Sequence, residues 1–281
     1  MNYRHAYHAG NFADVVKHAA LARILSYMKL KPQPFRVIDT HAGIGLYDLT
    51  SEQALKTGEW QDGIGRVLVA SFDDRVRALL QPYLDAVAHV NPDGELKHYP
   101  GSPLIARHLM RREDALVLNE LHDEDHAALK AATNNMPNTK VLSLDGFVAL
   151  KSLLPPKERR GVILIDPPFE AIDEFDRVAE GLTDGLSRFS SGVYTVWYPV
   201  KSAAAAERFI DRMTGAGTIK ALDARLRISA PFPGLGLTET GLLVINPPYP
   251  LADELEAMLP PLAEVLEQGA GYGSSIRSWG L

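Results

Sequence analysis

Six short apolar runs rich in β-branched residues punctuate this chain: FRVIDTHAG at 35–43, ALVLNEL at 115–121, TKVLSLDGF at 139–147, GVILIDPPF at 161–169, GVYTVWYPV at 192–200 and TGLLVINPPY at 240–249. Helical patterns fill the intervals, and this alternation reads as an α/β domain built on a mostly parallel sheet. Four of the runs end in an acid or a Pro-rich turn. In open α/β sheets ligands sit outside the carboxyl ends of the strands, so the chemistry is sought in those terminal residues.

One interval is abnormal. From the first run to the second the chain travels from about residue 45 to 115, far more than one crossover helix needs. It contains helical stretches such as FDDRVRALLQPYLDAVAHV at 72–90. We expect a mainly helical subdomain inserted at 46–103. The segment LLPPKERRG at 153–161 reads as a loop leading into a buried strand.

Composition narrows the function classes. With 281 residues and no cysteine, the chain can bury a sizeable core but holds no disulfide, zinc ribbon or thiol nucleophile. No apolar run approaches the ~18 residues of a membrane helix, so a soluble, cytoplasmic protein without a membrane partner is expected. The net charge of −6 hides basic tracts at 1–36, 97–112 and 201–227. Such tracts fit either a localised phosphate-binding face or the solvated surfaces of ordinary helices.

The first run ends in Asp39-Thr40-His41-Ala42-Gly43-Ile44-Gly45, where glycines let backbone approach a ligand. The dinucleotide fingerprint fails, because Asp48 stands where a third Gly or Ala is wanted. A tight strand-to-helix turn explains the glycines equally well. The second run ends at Glu120, an acid suited to both hydroxyls of a ribose, and the third at Asp145-Gly146, placed to meet an adenine edge. Taken in order, Gly-rich loop, acid and acid describe an adenosine-shaped site.

The fourth run delivers Asp166-Pro167-Pro168-Phe169. The two prolines stiffen the turn and remove N–H groups, leaving a rigid set of acceptors. An amine on a heteroaromatic ring is a poor nucleophile, because its lone pair is delocalised into the ring. A carboxylate and a carbonyl accepting its two hydrogens localise that lone pair for attack on an electrophilic methyl. Phe169 offers a flat surface for a base. The rival turn, Asn246-Pro247-Pro248-Tyr249, closes the last run near a sheet edge and is assigned a structural role.

Before the first strand stands YRHAYHAGNFADVVKHAAL at 3–21. Asn11 is placed to cap a helix on which Asp14, Lys17, His18, Leu21 and Leu25 share one face, polar first and apolar later. Residues 3–11 then form an arm over the site. His5 and His8 lack a third ligand at convincing spacing, so no metal is expected.

Together, the strand-end residues resemble the class I S-adenosylmethionine-dependent methyltransferases that modify nucleobase amines. YRHAYHAGNFADVVKH followed by DTHAGIGLYDL is similar to the bacterial RlmJ family, and the similarity spans essentially the whole chain. This resemblance implies a single Rossmann-like domain over 1–281, with a mostly parallel seven-stranded sheet, helices on both faces and an arm and helix at 1–34. It implies N6-methylation of one adenine, adenine-2030, in 23S rRNA. S-adenosyl-L-methionine is the implied donor, and the implied substrate is rRNA that is protein-free or early in assembly, met by a monomer.

Carried over by position, the resemblance implies cofactor contacts at His18, His41, Ser102, Glu120, Asp145, Gly146 and Asp166. Asp166 is the implied catalytic acid. Tyr3, His5 and Lys17 are implied around the substrate, beside Pro167 and Phe169 of the turn. The family commonly has Tyr where this chain has Phe169. DNA adenine or a glutamine side chain presents a similar planar amine, and a non-catalytic nucleic-acid-binding or uptake protein on this fold is the reading from another class.

Overall fold

A computed structural model of the chain describes residues 4–215, 219–231 and 236–281. Eight strands form one sheet in the order β10-β8-β9-β7-β6-β1-β4-β5. One side of it comprises β1 (Arg36–Asp39), β4 (Ala115–Asn119), β5 (Thr139–Leu142), β6 (Gly161–Ile165) and β7 (Val193–Pro199), with β5 at the edge. These five run parallel. Strand β6, GVILI, is buried at every position, as a strand covered on both faces must be. Strand β9 (Glu239–Ile245) runs antiparallel between β7 and β8 (Ala221–Arg227), and β10 (Gly273–Trp279) adds an antiparallel edge.

Eight strands, rather than the expected seven, follow from charge pairing that conceals the eighth. In β8 Asp223 and Arg225 are both buried. Arg225 Nε donates to Asp223 Oδ2 at 3.0 Å, and Arg277, opposite Asp223 on β10, donates to the same oxygen at 2.9 Å. Two strands bearing such charges show no apolar run in the sequence, yet Asp223 together with Glu207 pairs with both guanidinium groups.

Between β1 and β4 lie β2 (Leu46–Asp48), α2 (Glu52–Thr57), a π-turn at Gln61–Gly65, α3 (Arg66–Val69), α4 (Asp74–His89), β3 (His98–Pro100) and α5 (Ser102–Leu109). Strands β2 and β3 pair antiparallel in a sheet of their own. This segment encloses α1 (Phe12–Met28), which also packs on α10 (Leu251–Val265). In α1 only Arg23, Ser26 and Tyr27 escape burial, and a helix apolar nearly all round belongs in an interior. Its start is fixed by Asn11, whose side chain accepts from Ala13 N and Asp14 N at 3.0 Å each.

The opposite face carries α7 (Gly146–Leu153), α8 (Glu174–Arg188) and α9 (Ala203–Thr214), while α6 (Asp123–Thr133) follows β4. The carboxyl ends of three parallel strands are tied by Asn119, which is buried at the tip of β4. Its amide donates to Thr40 O at 3.0 Å and Leu144 O at 2.9 Å, and its carbonyl accepts from Leu144 N at 3.0 Å. The loops that bear the site are thereby fixed to one another. Asn246 holds its backbone at φ 53° and donates to Ser190 O and Gly192 O at 2.8 Å each, joining the end of β9 to the approach to β7.

Candidate active site

A cavity of about 920 Å³ opens at the carboxyl ends of β1, β4, β6 and β7. At the end of β1 the chain turns through Gly43 and Gly45 at φ 62° and 82°, a region that disfavours a Cβ. A Cβ on Gly43 would also run into the Tyr47 hydroxyl. Gly43 N donates to Glu120 Oε2, and His122 N donates to Oε1, both at 2.9 Å. The Glu120 carboxylate is thus oriented by backbone on both oxygens and retains lone pairs toward the cavity.

Two neutral histidines line the same cavity. Thr40 Oγ1 donates to Leu164 O at 3.0 Å and so receives the His41 Nδ1 proton at 2.9 Å. Burial pushes the His41 imidazole down to about 4. A Cβ on Gly146 would lie 2.5 Å from His41 Nε2, which explains a glycine there. On α1, His18 Nδ1 hydrogen-bonds the Tyr99 hydroxyl at 2.7 Å, and Tyr99 meets Tyr83 at 3.0 Å. Burial lowers His18 to about 3, and its Nε2 has no partner among the described residues. Asp39 is also buried. Desolvation and the nearby charge of Asp166 raise it to about 7, against the 2.6 Å bond donated by Ser102 Oγ.

Asp166, just beyond β6, joins a charged chain. Lys17 Nζ lies 2.5 Å from Asp166 Oδ2 and 2.9 Å from Asp14 Oδ1. The other Asp14 oxygen accepts from Gly10 N and from His5 Nε2, both at 2.9 Å. Burial works against both charges. Nevertheless His5 and Lys17 hold Asp14 well below the carboxylate range, while Asp14 and Asp166 hold Lys17 well above the amine range. The arm that leads into this chain is pinned at Arg4, which pairs with Asp125 at 2.7 Å and Glu124 at 2.5 Å on α6. His8 meets Glu59 at 2.9 Å.

Of the residues singled out from the sequence, His5, Lys17, His18, His41, Ser102, Glu120, Asp166, Pro167 and Phe169 line this one cavity. Asp145 and Gly146 stand outside its lining. Asp145 caps α7 by accepting from Phe147 N and Val148 N, and takes a 3.1 Å bond from Arg177. Tyr3 lies outside the described residues. Phe169 is only 8% exposed, with its ring 4.9 Å from Phe175 and 5.8 Å from Trp197. Its face is mostly spent on that cluster, and Trp197 is the more open aromatic on the wall. No group of three or more metal-ligating side chains occurs among the described residues.

Sequence reading missed Tyr99 and Trp197, and it placed Asp39 in the strand-end loop and Asp14 on the polar face of the helix without giving either a role. Asp14 had a signal, since an acid three residues before a lysine on a helix is an ion-pair spacing. Tyr99 reaches His18 across 81 positions and had none.

The reversed strand β9 lies between β7 and β8, and acids follow β4 and β6 at the cavity, an arrangement in keeping with the class I methyltransferase fold expected from the strand-end residues. The sequence profile of the family described as "Ribosomal RNA large subunit methyltransferase D, RlmJ" matches residues 32–280. The chain is 42% identical to "Ribosomal RNA large subunit methyltransferase J" of Escherichia coli K12, over 99% of this chain and 98% of that one. It is 39% identical to the protein of the same name from Haemophilus influenzae, with the same coverage. A crystal structure of a Legionella pneumophila protein superposes with a TM-score of 0.88 at 35% identity, covering 97% of this chain and 99% of that one. The chain belongs to the RlmJ family.

Proposed function

We propose that this protein transfers the methyl group of S-adenosyl-L-methionine to N6 of a single adenine, adenine-2030, in 23S rRNA. The observation that carries this reading is the placement of Asp166 and its Pro-Pro turn in the same cavity as the Glu120–Gly43 corner. The residues fit the donor. Glu120 suits the ribose, the glycine turn leaves space beside it, and the unpartnered His18 Nε2 is a buried polar atom on the wall. A volume of about 920 Å³ is at the upper end of the roughly 300–1,000 Å³ that encloses one small ligand, which leaves space for a nucleoside as well.

When bound, S-adenosyl-L-methionine supplies a methyl group on a positively charged sulfur. Asp166 accepts one hydrogen of the target amine and the Pro167 carbonyl the other, so the nitrogen lone pair is directed out of the ring. The donor would supply an electrophilic methyl to this nitrogen, and Asp166 would stabilise the positive charge that the nitrogen gains until one amine proton passes to solvent. Trp197 and Phe169 form the apolar wall against which an extruded base rests.

The test is methyl transfer from labelled donor to unmodified 23S rRNA fragments, with nucleoside analysis, comparing wild type with Asp166→Ala. We expect N6-methyladenosine from the wild type alone, with donor binding retained in the variant. Protein-free rRNA should exceed assembled subunits as a substrate. Turnover retained by Asp166→Ala, or transfer confined to DNA or protein, overturns the proposal.

A further inference from the structure

Lys17 is 4% exposed and is shared between two carboxylates on different elements, Asp14 on α1 and Asp166 beyond β6. Were Asp166 its sole partner, the buried ammonium would neutralise the carboxylate that must meet a nitrogen becoming positive. Asp14 instead takes part of that ammonium's charge, so Lys17 does not fully offset Asp166, while His5 of the arm faces the other Asp14 oxygen. Asp14 is itself 1% exposed, and among the described residues its carboxylate is bonded by the cluster and the arm: Lys17, the Gly10 N–H and His5. A single buried acid therefore links the closing segment before α1 to the ammonium at the reacting centre.

We infer that Asp14 is a positioning residue for methyl transfer: by sharing the Lys17 ammonium it leaves Asp166 its negative charge and an acceptor oxygen for the target amine. The inference rests on the reaction proposed above. Opposite charge fixed in a site closed to water stabilises a developing cation far more than the same charge in solvent. Asp14 supplies that charge without touching the substrate.

Asp14→Asn keeps the shape and the acceptor for Gly10 N but removes the charge. It should lower the single-turnover methyl-transfer rate by about tenfold to hundredfold, whereas donor affinity measured by calorimetry stays within about threefold. Asp14→Glu should restore a substantial part of the rate. A purely structural role is separated by that rescue and by the unchanged donor affinity, and the coupling to Lys17 is read from thermal unfolding of a double-mutant cycle with Lys17→Met. In the wild-type background Asp14→Asn lowers Tm. In the Lys17→Met background Asp14 keeps His5 and the Gly10 N–H but has lost its ammonium, so the same change lowers Tm clearly less or raises it. An Asp14→Asn rate within about twofold of wild type, or equal falls in Tm in both backgrounds, overturns the inference. The Tm cycle needs no RNA, so a wild type inactive on rRNA would defeat the proposed function without deciding this point.

Discussion

His18 and His41 are both uncharged in the fold because burial removes the water that would solvate an imidazolium. In the unfolded chain each takes a proton near pH 6.5. Their folded values are depressed, so the stability they contribute is present above pH 6.5 and is lost as pH falls toward about 3 and about 4. Asp39 has the opposite sign. It keeps its proton in the fold up to about 7 but ionises near 3.8 when unfolded, so its contribution is present below 3.8 and is lost as pH rises to 7. Urea unfolding between pH 4.5 and 6 should separate these effects. Relative to wild type, His18→Gln should reduce the acid-side loss of stability by about 1.4 kcal/mol per pH unit, one proton's worth, and Asp39→Asn should steepen it by a similar amount. Equal slopes for all three proteins would show that neither group is held in the stated form. Neutral histidines also suit a site for a sulfonium cation, which an imidazolium would repel.

Among the elements, the two Pro-Pro turns are built for different tasks. Asp166 turns into the cavity beside Lys17, whereas Asn246 spends both amide hydrogens on the carbonyls of Ser190 and Gly192. Asn246→Ala should therefore cost about 1–3 kcal/mol of stability, through lost hydrogen bonds and a side chain held at positive φ, with transfer activity at 25 °C within about twofold of wild type. Asn246→Gly should recover the backbone part of that loss alone. Activity abolished in a folded Asn246→Ala protein would assign the chemistry to the wrong turn. The same contrast shows what was legible in the sequence. Strands β1, β4, β5, β6, β7 and β9 announced themselves as apolar runs, and of the acids singled out at their ends Glu120 and Asp166 line the cavity whereas Asp145 does not. Strands β8 and β10 did not, because Asp223, Arg225 and Arg277 pair across them. The two-stranded β2–β3 sheet was hidden for another reason: its strands are three residues each and are held by partners some fifty positions apart. The Tyr83–Tyr99–His18 chain is likewise a product of tertiary packing.

For the molecule as a whole, the basic tracts at 1–36, 97–112 and 201–227 do not make a phosphate-binding face by their composition. Most of their guanidinium groups are committed internally: Arg4 to Glu124 and Asp125, Arg23 to Glu254, Arg36 to Glu158, Arg212 to Asp176 and Arg225 to Asp223 and Glu207. Arg111 joins Asp114 to the carbonyls of Lys31, Pro32 and Gln33. On the cavity wall the ammonium groups are Lys17, already shared by two acids, and Lys201, which is exposed and forms no ion pair with any described residue. A protein of net charge −6 that binds RNA must concentrate its attraction where cations remain available, and Lys201 is such a cation on the cavity wall. Lys201→Ala should raise the KM for rRNA severalfold and reduce the slope of log affinity against log salt by about one, with donor affinity unchanged. Arg111→Ala should do the reverse, costing about 2 kcal/mol of stability while leaving the salt slope intact. Titrations of rRNA binding across a salt series, run beside urea unfolding of both variants, decide between them. A salt slope that responds to Arg111 and not to Lys201 would move the RNA path away from the cavity mouth.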